Sequence, residues 1–194
     1  MKTNRTFLLT ALALLAITYS NAQIPLRLGN GVKPAVEKVL STYPEHFRAI
    51  QGDTLNVTSN TAVFNSTVKP DGATECTLTQ YLSSNLPDYS WQATMYESDD
   101  FEAAAKKYAT CYQQLKNMTL RTSAGSCKMN GEYEQPNATK NFYSTLFVPT
   151  SDDPALNRLR LEILLEGDMT AWKLSILIYD RVHDDKEGNM IQGK

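Results

Sequence analysis

The chain has 194 residues, 42% of them hydrophobic and 21% charged, with a net charge of −2. Nine glycines and eight prolines are close to the globular average and exclude collagen-like and low-complexity classes, while the length admits one ordinary domain or two small ones. A slight negative charge excludes a strongly basic nucleic-acid binder, because neutralising phosphates takes clustered Lys and Arg.

Residues Met1 to Ala22 read as a secretion signal. Lys2 and Arg5 give a positive start, Phe7 to Ile17 is an apolar run, and Ser20 and Ala22 place small residues before a cleavage point at Gln23. A membrane-spanning helix needs about 20 apolar residues, roughly twice this run. No Cys follows the cut, which argues against a lipid anchor. The remaining chain has 17 basic and 21 acidic residues, a net charge of −4. It is expected to be exported, periplasmic or secreted, with no stable membrane insertion and no nucleic-acid partner.

A first helix follows a short tether. Pro34 suits its first turn, and Val36, Val39 and Leu40 form a partial apolar stripe that Pro44 stops. Four short strands are predicted next, at His46–Ile50, Thr61–Val68, Thr74–Tyr81 and Ser90–Tyr96. Pro70-Asp71-Gly72 is a strong turn signal between the second and third. In the fourth, Trp91, Ala93 and Met95 alternate with Gln92, Thr94 and Tyr96. A second helix is expected from Asp99, with Glu102 completing a capping-box variant. Phe101, Ala105, Tyr108, Tyr112 and Leu115 make its apolar stripe.

Four more strands are expected, at Lys128–Gln135, Asn141–Val148, Asn157–Glu166 and Ala171–Asp180. Alternation predicts Phe142, Ser144, Leu146 and Val148 on the dry face of the second. It predicts Leu159, Leu161, Ile163 and Leu165 inward in the third, with Arg158, Arg160, Glu162 and Glu166 outward as cross-strand ion pairs. Residues 181–194 read as a flexible polar tail. The predicted fold class is α+β, an antiparallel sheet with two main helices packed on one face, in the order helix, four strands, helix, four strands. It forms a single domain over 23–180. Two tandem units, 31–98 and 99–180, are suggested by Asn65, Ala73 and Thr74 recurring as Asn130, Ala138 and Thr139.

In an oxidising compartment two of the three cysteines can pair. The expected pair is Cys111 with Cys127, whose loop would contribute about 3 kcal/mol by closure entropy. Cys76 is then a buried strand thiol, and three unpaired buried thiols are the alternative.

His46-Phe47, Gly72-Ala73 before Glu75, Ser90-Trp91-Gln92-Ala93, Asp100-Phe101-Glu102-Ala103-Ala104, and Trp172-Lys173-Leu174 leading to Tyr179-Asp180-Arg181 occur together. In this combination the chain resembles a family of small exported bacterial proteins with no assigned function. The resemblance covers most of the chain after the signal and implies a bacterial source and an extracytoplasmic location. It brings no catalytic or ligand residues.

Chemistry is sparsely provided for. Two histidines, His46 and His183, are a meagre supply for nucleophilic catalysis, and no Gly-x-Ser-x-Gly elbow is present. Asp180, His183, Asp184 and Asp185 could offer metal ligands but fall where the chain turns into its polar tail. After the signal, four Asn-x-Thr sequons, at Asn56, Asn65, Asn117 and Asn137, suit glycosylation only in a eukaryotic secretory path. The expectation is therefore a non-enzymatic protein without cofactor or metal. It would bind an unknown protein or envelope component through the polar-aromatic face of its sheet, at Tyr81, Tyr96, Tyr143, Phe147 and Tyr179, with Leu164 among them. The alternative is a small-ligand carrier with a pocket between helix and sheet lined by Trp91, Met95 and Tyr108.

Overall fold

The computed structural model describes residues 31–82, 88–122, 125–168 and 170–181. The proposed signal at 1–22 and the tail from 182 onward lie outside them.

Helix α1 (Val32–Ser41) buries Val32, Ala35, Val36, Val39 and Leu40, the one-sided spacing of an amphipathic helix. The Thr42 amide turns back to the Val39 carbonyl at 3.0 Å, and Pro44 prevents further winding. The strand expected at His46–Ile50 is absent. Tyr43–Glu45 and Arg48–Ile50 are 3₁₀ turns, joined by His46 and Phe47 in left-handed conformations with φ of 54° and 58°. Phe47 and Ile50 both enter the core. Their spacing of three is one 3₁₀ turn, a period that strand alternation cannot supply.

Four strands follow, β1 (Gln51–Val57), β2 (Thr61–Ser66), β3 (Glu75–Tyr81) and β4 (Asp88–Ser98). Strand β1 was not expected, because its residues are almost all exposed and it carries no inward row. Gly72 closes the β2–β3 connection at φ 82°, a conformation that glycine adopts without a Cβ penalty. Helix α2 (Phe101–Leu115) is capped by Asp100, one residue later than expected, whose side chain accepts from the Ala103 amide at 3.0 Å.

The second half has five strands rather than four: β5 (Thr119–Thr122), β6 (Gly125–Gly131), β7 (Phe142–Pro149), β8 (Leu159–Gly167) and β9 (Trp172–Asp180). Strand β6 begins earlier than expected and stops at Gly131. There a Cβ would come within 2.7 Å of Phe147 Cδ1. The molecule is thus α+β, with one antiparallel sheet in the order β1-β2-β3-β4-β9-β8-β7-β6-β5.

Both helices contribute to one hydrophobic core with alternate residues of the sheet, among them Leu78, Trp91, Ala93, Leu161, Ile163, Leu174, Ile176 and Ile178. Buried polar tips are paired inside it. Tyr108 OH and Thr145 Oγ1 lie 2.7 Å apart, and Trp91 Nε1 donates to Ser66 Oγ at 2.9 Å. Such pairing offsets the cost of taking hydroxyl and indole groups out of water.

Candidate functional site

The residues that alternate with this core form a second, open face on β3, β4, β9, β8 and β7. Cross-strand pairing fixes its rows. Thr77, Gln92, Leu177, Glu162 and Leu146 lie side by side across five strands, and Thr79, Ser90, Tyr179 and Arg160 form the row beside them.

Of the five predicted binding residues, two lie on this face. Tyr81 is exposed and Tyr179 is half-buried. The other three do not. Tyr143 and Phe147 are fully buried, and the exposed residues of β7 are Phe142, Leu146 and Val148. The expected orientation of β7 is therefore inverted. Both of its faces carry large apolar groups, so alternation alone did not choose between them. The choice is made by partners. Thr145 meets Tyr108, Phe147 lies 6.1 Å from Tyr112 ring to ring, and the Tyr143 hydroxyl donates to the Asn137 carbonyl while accepting from the Asn137 amide.

Tyr96 is displaced for a different reason. Thr94 pairs with Ser175 but Tyr96 pairs with Leu174, so Met95 is one extra residue on β4, a β-bulge. Beyond it the alternation reverses. Tyr96 packs against the core, with Lys107 Nζ of α2 at 5.7 Å from its ring centroid. Leu164 keeps its expected place on the open face, half-buried beside Ser144 and Ser175.

A hollow of about 510 Å³ opens on this face, lined chiefly by Thr79, Tyr81, Ser90, Gln92, Leu177 and Tyr179, with Asp88, Glu162 and Asp180 contributing carboxylates. The arginines expected to pair with Glu162 do not. Ser144 Oγ donates to one of its oxygens, and Tyr179 OH donates to the other at 2.9 Å. Burial first, and then the Glu162 bond and charge, push the Tyr179 phenol up to about 12. Arg158 Nη2 bonds Asp88 at 2.6 Å, and Arg160 Nη1 caps the main-chain carbonyls of Asn157 and Leu159. Asp180 accepts from Tyr43 OH, whose proton is held well above the ordinary phenol range by burial and by that carboxylate.

Sequence reasoning placed Gln92 and Glu162 outward but did not join them with Ser90, Leu177 and Asp88 into one hollow. Only strand order, with β9 between β4 and β8, makes them neighbours. Trp91, Met95 and Tyr108, the expected lining of an internal pocket, are packed in the core. Cys76, Cys111 and Cys127 carry free thiols in this structure, and the expected Cys111–Cys127 bond is not formed. Cys111 faces into the core from α2, whereas Cys127 lies at its margin on β6. Burial raises Cys76 and Cys111 to about 11. No group of three or more His, Cys, Asp or Glu side chains suited to a metal occurs among the described residues, and His183, Asp184 and Asp185 lie outside them. No described helix is long and apolar enough to cross a membrane.

No protein-family model, no curated protein and no solved structure matches the chain.

Proposed function

We propose that this is an exported, non-enzymatic binding protein that engages a macromolecular or envelope partner through the open face of its sheet. The observation that carries the reading is the 510 Å³ hollow on that face, walled by tyrosine rings and hydroxyl, amide and carboxylate groups. Leu146, next to Glu162 at its border, is 38% exposed, and Phe142, two rows further along the same face of β7, is 57% exposed. Aromatic and apolar groups surrounded by polar ones are the composition of recognition surfaces. A carrier with an internal pocket is the second reading. It would require Trp91, Met95 and Tyr108 to separate from neighbours they now touch.

The finer architecture is proposed as two related units. Each opens with a helix and continues as a meander, and the last strands of the two, β4 and β9, meet at the centre of the sheet.

The test is site-specific photo-crosslinking in the exporting host, with the photoreactive residue at Tyr81, at Phe142 or at Lys106 on the exposed flank of α2. Discrete adducts from the two sheet positions and none from Lys106 are expected. Equal adducts from all three, or none from the sheet, would overturn the proposal.

A further inference from the structure

We infer that this hollow and a second one beside the end of α1 form a single groove that receives a linear, uncharged saccharide chain. The inference rests on the binding reading above and names the ligand's chemistry. The second hollow, of about 380 Å³, is walled chiefly by Tyr43, Pro44, His46 and Pro154, together with Arg158 and Asp180. Asp180 lines both hollows. Three further contacts tie one wall to the other. The His46 ring stacks on Tyr89 at 5.0 Å, Arg158 Nη2 bonds Asp88 at 2.6 Å, and Tyr43 OH donates to Asp180. All lie at the end of the sheet where β4 and β8 begin and β9 ends. Each hollow alone falls within the roughly 300–1,000 Å³ of small-molecule sites, so the two side by side suit an elongated ligand.

The groove balances its own charge. Asp88, Glu162 and Asp180 have three guanidiniums within electrostatic reach. Arg158 pairs with Asp88 and acts on Asp180 as well, while Arg160 and Arg181 act on the Tyr179 phenol that bonds Glu162. A charged ligand would lose its own hydration here without a net electrostatic gain. The polar groups are also held in place. Gln92 Nε2 donates to Ser175 Oγ at 3.3 Å, Ser90 Oγ lies 3.4 Å from Tyr81 OH, and Glu162 accepts from Ser144 and Tyr179. Fixed amide, hydroxyl and carboxylate groups are donors and acceptors for the hydroxyls of a sugar, and their pre-organisation lowers the cost of binding.

Aromatic rings recur along the groove: Tyr81 and Tyr179 in the first hollow, the Tyr89–His46 stack at the junction, and Tyr43 in the second. Their faces, negative at the centre, suit the weakly positive C–H faces of pyranose rings. The backbone at His46 is an independent sign that the ring matters. Its amide bonds the Tyr43 carbonyl at 2.9 Å and the Phe47 amide bonds the Thr42 carbonyl at 3.0 Å, which makes His46 the left-handed residue of a helix-ending motif, a place usually held by glycine. A histidine there carries a backbone cost, and that conformation sets its imidazole against Tyr89 in the groove. A peptide strand is disfavoured, because adding a strand needs a sheet edge. The strands under the groove, β4, β8 and β9, are each paired on both sides.

The experiment is an NMR titration of the protein with cellotetraose, maltotetraose and N-acetylchitotetraose, beside the matching monosaccharides and a capped, uncharged alanine tetrapeptide. At least one tetrasaccharide is expected to bind and to shift amides in both hollows, those of Gln92 and Tyr179 in one and of His46 and Ala155 in the other. Its monosaccharide, which can fill only one hollow, and the peptide should bind at least about tenfold more weakly. Tyr81→Ala should weaken the tetrasaccharide about tenfold and His46→Gly about fivefold, the effect of losing one ring contact each. His46→Gly should nevertheless melt close to the parent, since glycine accepts the left-handed backbone without cost. No tetrasaccharide binding, shifts confined to one hollow, the peptide binding equally well, or affinity unchanged in both variants would each overturn the inference. Crosslinks at Tyr81 and Phe142 that persist when no saccharide binds would sink the saccharide inference alone. Loss of those crosslinks would sink the binding reading as well.

Discussion

The two faces of this sheet are made by the same strands but obey different rules. On the core face, polar atoms are few and each finds a partner inside the protein, as Tyr108 does with Thr145 and Trp91 with Ser66. On the open face, the carboxylates of Glu162 and Asp180 are held by hydroxyls, and large apolar groups such as Phe142 remain in water. One face has its interactions completed by folding. The other keeps carboxylates and large apolar groups at the surface, and the proposed binding rests on that difference.

The contrast is tested most severely on β7, where neighbouring residues point to opposite faces. Phe147→Ala should cost about 3–5 kcal/mol, because it empties a fully buried site. Phe142→Ala, five residues away on the exposed side, should stay within about 0.5 kcal/mol in the same urea denaturation series. A larger cost for Phe142→Ala than for Phe147→Ala would mean that β7 faces the other way.

Alkaline titration probes the core face as a whole. Burial raises Cys76 and Cys111 from 9.0 to about 11 and Tyr108 from 10.0 to about 12, and it raises Tyr43 further. Each folded-state proton is held more tightly than in the unfolded chain. The stability this provides is complete below about pH 9 and is lost as pH rises through 11 and 12. Melting temperature should therefore fall steadily above pH 9. A flat profile to pH 11 would contradict the burial of these groups.

Single hydrogen bonds come next in size. Tyr108→Phe leaves the buried Thr145 hydroxyl without its partner and should cost about 1–2 kcal/mol, much of it recovered in the double variant with Thr145→Val. Tyr179→Phe removes a comparable bond from the open face, where water can replace it. Its cost should be about 0.5 kcal/mol or less. Equal costs would erase the distinction between the faces.

Several features were legible in the residues. The alternation in β8 put Leu159, Leu161, Ile163 and Leu165 in the core, where they are fully buried. The stripe of α2 was readable because apolar groups recur at helical spacing on a polar background. β7 was not readable, since Tyr143 and Phe147 compete with Phe142, Leu146 and Val148 and differ only in which partners await them. Tyr96 was misplaced because a one-residue bulge leaves no mark in composition yet reverses every later side chain. β1 escaped notice because an exposed edge strand needs no apolar row. Of the open face, the outward positions of Tyr81 and Tyr179 were legible, but their meeting with Ser90, Leu177 and Asp88 in one hollow was not.

By itself the sequence determined the mixed α+β class and the period of most elements, because these follow from local geometry. The tertiary structure alone decided which face of β7 is buried, where β4 bulges, and that Glu162, Gln92 and Tyr179 share one hollow. Those outcomes depend on long-range pairing, in which β9 returns from the end of the chain to lie between β4 and β8, and no local pattern encodes the meeting of strands so far apart.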